Sequence, residues 1–114
     1  KLIQRFLEKM GHSVVLADDS EQAIILFEKT AFNLIFIDTK IQGIDGFSLT
    51  RSIREMEVSS GKSGWIPIIG MITRKGEEPK NECWESGMDD INEKPIKLED
   101  LQKIVEKHFS KTEQ

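Results

Sequence analysis

The octapeptide NLIFIDTK, residues 33–40, places four apolar residues in a row and closes them with Asp38. Alternating apolar and polar residues would mark a strand with one wet face. A continuous run marks a strand covered on both faces, as in a parallel sheet. A second stretch, SVVLADDSEQA (13–23), has the same form and ends in two acids, Asp18 and Asp19. Strands that end in carboxylates deliver them to the rim of a sheet, so three aspartates compete for one role.

Outward from these runs, helix and strand patterns alternate. KLIQRFLEKMGH (1–12) sets Leu2, Ile3, Phe6, Leu7 and Met10 on one helical face, with Gly11 placed to stop the helix. SVVLA reads as a strand. SEQAIILFEKTA returns to helical spacing through Ala23, Ile24 and Phe27. FSLTRSIREME carries Leu49, Ile53 and Met56 at helical spacing, VSSGKSG is a polar loop, and WIPIIGMI is a further strand with Pro67 near its start. EEPKNECWESG reads as a helix capped by Gly87, and LEDLQKIVEKHF as an amphipathic helix with Leu101, Ile104 and Val105 inward. The alternation predicts an α/β fold, an open doubly wound parallel sheet.

With 114 residues the chain has the size of one domain, 1–114, with one core. Charged residues make up 32% and hydrophobic ones 38%, the composition of a globular protein. Sixteen Lys and Arg are scattered among 20 acids for a formal net charge of −4, so no basic face for nucleic acid stands out. A single cysteine, Cys83, excludes an internal disulfide and reads as a small buried residue. No stretch reaches the roughly 20 apolar residues of a membrane span. With no signal peptide visible, the expectation is a cytoplasmic protein without membrane contact.

In doubly wound sheets the ligand site lies beyond the carboxyl ends of the strands. Asp18, Asp19, Asp38 and Lys94 all follow strands on that edge. An acid and a lysine delivered to one rim make a site for an anion, with the lysine as fixed positive charge.

Three stretches, LIFIDTKIQGIDGF (34–47), IPIIGMIT (66–73) and GMDDINEKPI (87–96), give the chain its resemblance to response regulator receiver domains, particularly those fused to histidine kinases. The acid, the Gly-containing turn and Lys-Pro stand in the right order between the right elements. The resemblance implies a flavodoxin-like sheet of strand order 2-1-3-4-5. It implies that Asp38 is the phosphoacceptor, that Lys94 contacts the phosphoryl group, and that Mg²⁺ is held by Asp38 and the backbone carbonyl of Lys40. The implied partner is a histidine kinase or a histidine phosphotransfer domain in a two-component phosphorelay, and a homodimer is compatible with it. Catalysis by the domain itself would extend only to accepting and slowly losing the phosphoryl group. The implied output is a population shift on the face of the family's fourth helix, fifth strand and fifth helix.

Receivers also carry an acidic pair that binds Mg²⁺, but it follows the first strand, about 40 residues before the acceptor at typical element lengths. Asp19 and Asp38 are only 19 apart. Asp18 and Asp19 are therefore read as helix N-caps, with Glu21 and Gln22 three residues on. SVVLA becomes the family's second strand, and the first strand with its acidic pair is expected outside residues 1–114. Two departures bear on function. Ile72 stands where a Ser or Thr hydroxyl meets the phosphoryl group, with Thr73 one place late as a displaced hydroxyl, and Ile91 replaces the usual aromatic switch residue. Both motivate an alternative, a receiver-like docking module with weak or no phosphorylation.

The remaining candidates carry less. His12 and His108 sit at helix ends and read as surface or capping residues. Trp65 and Trp84 read as packing or partner-contact residues. There is no Gly-x-Gly-x-x-Gly, and the Gly-Lys-Ser of VSSGKSG lacks the preceding strand and spaced glycine of a phosphate loop.

Overall fold

The computed structural model describes residues 2–39, 45–60, 65–73 and 77–109. In chain order the elements are α1 (Leu2–Lys9), α2 (Ser20–Lys29), β1 (Ile35–Asp38), α3 (Gly46–Ser59), β2 (Ile68–Ile72), α4 (Glu77–Ser86), β3 (Asp90–Glu93) and α5 (Leu98–Phe109). Two compact units are distinguished, one of Ala17–Lys94 and one of Lys1–Leu16 with Pro95–Gln114.

In the unit Ala17–Lys94, three parallel strands lie in the order β1-β2-β3. Ile35 pairs with Ile68 and Asp38 with Met71; Met71 in turn pairs with Asn92, and Ile72 with Glu93. Helices α3 and α4 make the crossovers that parallel pairing requires. Phe27 of α2, Leu49 and Ile53 of α3, Cys83 of α4 and the strand residues Ile37, Ile68 and Ile72 form one core cluster with Met88. Ile68 and Ile69 are adjacent, point to opposite faces of the sheet, and are both fully buried. Burial on both faces is the physical reason for the unbroken apolar run.

Local chemistry sets the helix ends. The Asp19 carboxylate accepts from the Gln22 backbone N–H at 2.8 Å, and the Gln22 side-chain oxygen accepts from the Asp18 N–H at 2.9 Å. Asp19 is thus the cap and Asp18 precedes it, a reciprocal pairing of orphan donors. Asp45 caps α3 in the same way through the Ser48 N–H at 2.8 Å. Gly11 and Gly87 end their helices with φ of +93° and +110°, the left-handed conformation that glycine adopts without steric cost.

Residues 13–17, expected as a strand, form none, and Val15 and Leu16 are exposed. An extended segment becomes a strand only beside a partner that takes its backbone hydrogen bonds. Among the described residues no strand pairs with it.

In the other unit, Leu7, Leu101, Ile104 and Val105 are buried. His108 is buried as well, which corrects its reading as a surface residue. It falls three and four residues after Val105 and Ile104 and so continues their stripe. No helix among the described residues is long and apolar enough to cross a membrane.

The first unit is also tied together by a polar network. Arg54 of α3 donates through Nη1 to Glu57 Oε1 and to the Ile66 carbonyl, both at 2.8 Å, through Nη2 to Asp89 Oδ2 at 2.7 Å, and through Nε to the Gly87 carbonyl at 2.9 Å. The two carboxylates then accept from the Ile66 and Ile68 N–H groups, each at 2.9 Å. A buried charge is tolerable when its partners are satisfied in this way.

Candidate functional site: the carboxyl rim of the sheet

Asp38 is the last residue of β1, and Lys94 directly follows β3. The Lys94 N–H donates to the Ile72 carbonyl at 2.8 Å and the Thr39 N–H to the Met71 carbonyl at 3.1 Å, so both turns leave the sheet in register with β2. The Lys94 ammonium reaches across the end of β2 and pairs with Asp38 Oδ2. Both side chains are about one-third exposed, open to an incoming anion while held by the strand ends.

The start of α3 presses on this corner. The Gly46 N–H donates to the Thr39 carbonyl at 3.1 Å, and a Cβ at Gly46 would lie 2.5 Å from the Asp38 carbonyl oxygen. Absence of a side chain lets the helix seat against the acid's own backbone. Thr39 also donates its hydroxyl to the Met71 carbonyl at 3.4 Å.

Among the expected site residues, Asp38 and Lys94 come together. Asp18 and Asp19 do not join them; they begin α2. Ile72 is 1% exposed within the core cluster, and Ile91 packs partly buried against it. Thr73 lies one residue beyond β2 and is exposed. The pairing of Ile72 with Glu93 leaves the strand end unshifted, so Thr73 stays on the face opposite to Ile72. Lys40 lies outside the described residues. Among the described residues no group of three His, Cys, Asp or Glu side chains comes together to hold a metal ion.

Sequence reading missed two participants. Thr39 and Gly46 act through their backbones, which no side-chain pattern announces. Asn92, two residues before Lys94, is buried with its Nδ2 lacking a partner among the described residues.

Comparisons with known proteins bear on the family and the fold. A two-component response regulator from Clostridium difficile superposes with a TM-score of 0.87 at 27% identity, covering 99% of this chain and 88% of that one. The receiver domain of the sensor histidine kinase PA1611 from Pseudomonas aeruginosa superposes at 0.83 with 29% identity, over 96% and 86% of the two chains, and has a magnesium ion coordinated in its active site cleft. By sequence the chain is 30% identical to the hybrid signal transduction histidine kinase B of Dictyostelium discoideum and 33% identical to the sensor protein GacS of Pseudomonas syringae, over 96% and 91% of its length. It spans only 6% and 11% of those relatives. The sequence model of the response regulator receiver domain matches residues 1–106. With its flavodoxin-like parallel sheet, the chain belongs to the response regulator receiver domain family.

Proposed function

We propose that the domain accepts a phosphoryl group on Asp38 from a phosphohistidine of a histidine kinase or phosphotransfer partner, within a cytoplasmic two-component phosphorelay. The observation that carries this reading is the pairing of Lys94 with Asp38 across the strand ends. A carboxylate oxygen of Asp38 attacks phosphorus in line with the departing imidazole nitrogen. The O–P bond forms, the P–N bond breaks, and its electron pair stays on the imidazole. Lys94 exchanges its contact with Asp38 for one with a phosphoryl oxygen, so the positive charge follows the developing negative charge. A magnesium ion at the rim would offset further charge on the transferring oxygens. The described residues fit it in part, through Asp38, and the Lys40 carbonyl would add to it. Water then removes the group slowly.

The test is labelling of the full chain by a small phosphodonor with Mg²⁺. Label is expected at Asp38, absent in Asp38→Asn with its fold intact, and lost when the metal is chelated. Label that persists in Asp38→Asn would place the acceptor elsewhere.

The buried Ile72 and the packed Ile91 favour a second reading, a docking module in which phosphorylation is weak or absent. Failure of both small donors and a phosphohistidine partner to label Asp38, with partner binding retained, would select it.

A further inference from the structure

At the amino ends of β2 and β3, away from the Asp38 rim, an exposed indole is held rigid. Trp65 stacks on the Arg54 guanidinium at 3.6 Å from the ring centroid and donates Nε1–H to Asp89 Oδ1 at 2.8 Å. It is nevertheless 57% exposed. With one face covered by Arg54 and the N–H committed, that exposure falls on the other face and the free edge of the ring. An exposed tryptophan ordinarily loses rotamer freedom on binding, and this one has already lost it.

Other apolar groups border the same end. Val58, in the last turn of α3, is 78% exposed, and Trp84, in the last turn of α4, is 49% exposed. The Trp84 carbonyl accepts from the Gly87 N–H at 3.2 Å, and the Gly87 carbonyl accepts from Arg54, so one arginine joins the segments bearing both tryptophans. Helices α3 and α4 are packed against each other. Glu57 and Asp89 are taken up by Arg54, and the exposed carboxylates toward this end are those of Glu55 on α3 and Glu85 on α4.

We infer that the edge formed by Val58, Trp65 and Trp84 docks a partner protein segment that presents arginine beside apolar side chains. The open face of Trp65 attracts a cation, and donation of its N–H to a carboxylate enriches the ring's π density. The exposed Glu55 and Glu85 carboxylates complement a guanidinium, which stacks on an aromatic face better than an ammonium does. Tryptophan set in such a rim has the character of a binding hot spot.

The experiment uses the full chain with ¹⁵N-labelled tryptophan and a blocked octapeptide of alternating leucine and arginine. Leucine–lysine and leucine–glutamate octapeptides are the comparisons. The arginine peptide is expected to shift both indole signals saturably, the lysine peptide to bind about threefold more weakly, and the glutamate peptide not to bind. Trp65→Ala should weaken binding about tenfold or more. Because that variant also frees Asp89, the exposed pair Glu55→Gln with Glu85→Gln supplies a second measure, with about threefold weaker binding and a flatter salt dependence. Asp38→Asn should bind unchanged, which separates this surface from the phosphoacceptor. Shifts spread evenly over the acidic surface, equal binding of the glutamate peptide, or self-association that protects both indoles without peptide would each overturn the inference.

Discussion

A methyl group added at Gly46 would meet only backbone, the Asp38 carbonyl oxygen at 2.5 Å and the Thr39 Cα at 2.7 Å. Neither can rotate away, so α3 or the turn after Asp38 must shift. Gly46→Ala is expected to cost about 1–3 kcal/mol, the range for overpacking, and to reduce labelling of Asp38 as well. Gly70 is a useful contrast, because a Cβ there meets the Met88 sulfur and, at 3.4 Å, the Cys83 Sγ. The end of a methionine can swing, so Gly70→Ala should cost less and leave labelling near normal. Urea unfolding of the two variants, paired with phosphodonor labelling, checks both outcomes. Cys83 supports a pH prediction. Burial, with the nearby Glu82 carboxylate adding to it, raises its thiol pKa above the ordinary 9.0. The folded state therefore keeps a proton that the unfolded state releases. This contribution is complete below the unfolded pKa and is lost as pH rises through the folded value. Unfolding midpoints measured from pH 8 to 11 should fall less steeply in Cys83→Ala than in the parent.

At the scale of elements, α3 carries two kinds of stabilisation that differ in size. Asp45 satisfies one donor at an exposed helix start, and Asp45→Ala should cost about 1 kcal/mol. Arg54 sits near the other end and serves two carboxylates and two carbonyls. Arg54→Met keeps much of the stem but leaves Glu57 and Asp89 without their cation. Removing one partner of a buried ion pair costs about 3–5 kcal/mol, because the remaining charge is stranded. Chemical denaturation followed by tryptophan fluorescence would rank the two. A smaller effect for Arg54→Met than for Asp45→Ala would mean that the network adds nothing beyond packing.

At the scale of the molecule, β2 is paired on both sides, whereas no strand among the described residues pairs with the outer edge of β1. The Ile35 N–H donates to the Pro67 carbonyl and the Thr39 N–H to the Met71 carbonyl, so alternate residues of β1 turn their donors toward β2. Phe36 turns its N–H the other way. In a chain of residues 1–114, native-state hydrogen exchange at Phe36 is expected to be faster than at Ile35 and Thr39 by about tenfold or more, because local opening is not needed to expose it. Protection of Phe36 equal to that of its neighbours would show that another strand occupies that edge.

Much of this was readable from one dimension. Periodicity located four of the five described helices, because a helix buries a stripe whose spacing is fixed by 3.6 residues per turn, and the Gly87 stop marked α4. The apolar runs located β1 and β2 for a similar reason, since burial on both faces leaves no polar positions. Set against the receiver resemblance, the spacing of Asp19 and Asp38 assigned the first to a cap and the second to the rim. Residues 13–17 show where such reading stops. Their β-branched composition states a preference, but a strand exists only when a neighbour accepts its hydrogen bonds, and composition does not supply the neighbour. His108 reads as polar in the chain and is buried in the fold because its place in the stripe outweighs its own polarity. Gly46 against Asp38, Arg54 beneath Trp65, and Lys94 across β2 from Asp38 are contacts between residues 8, 11 and 56 positions apart. The sequence determined which groups were available, and only the packing of helices on the sheet decided which of them meet.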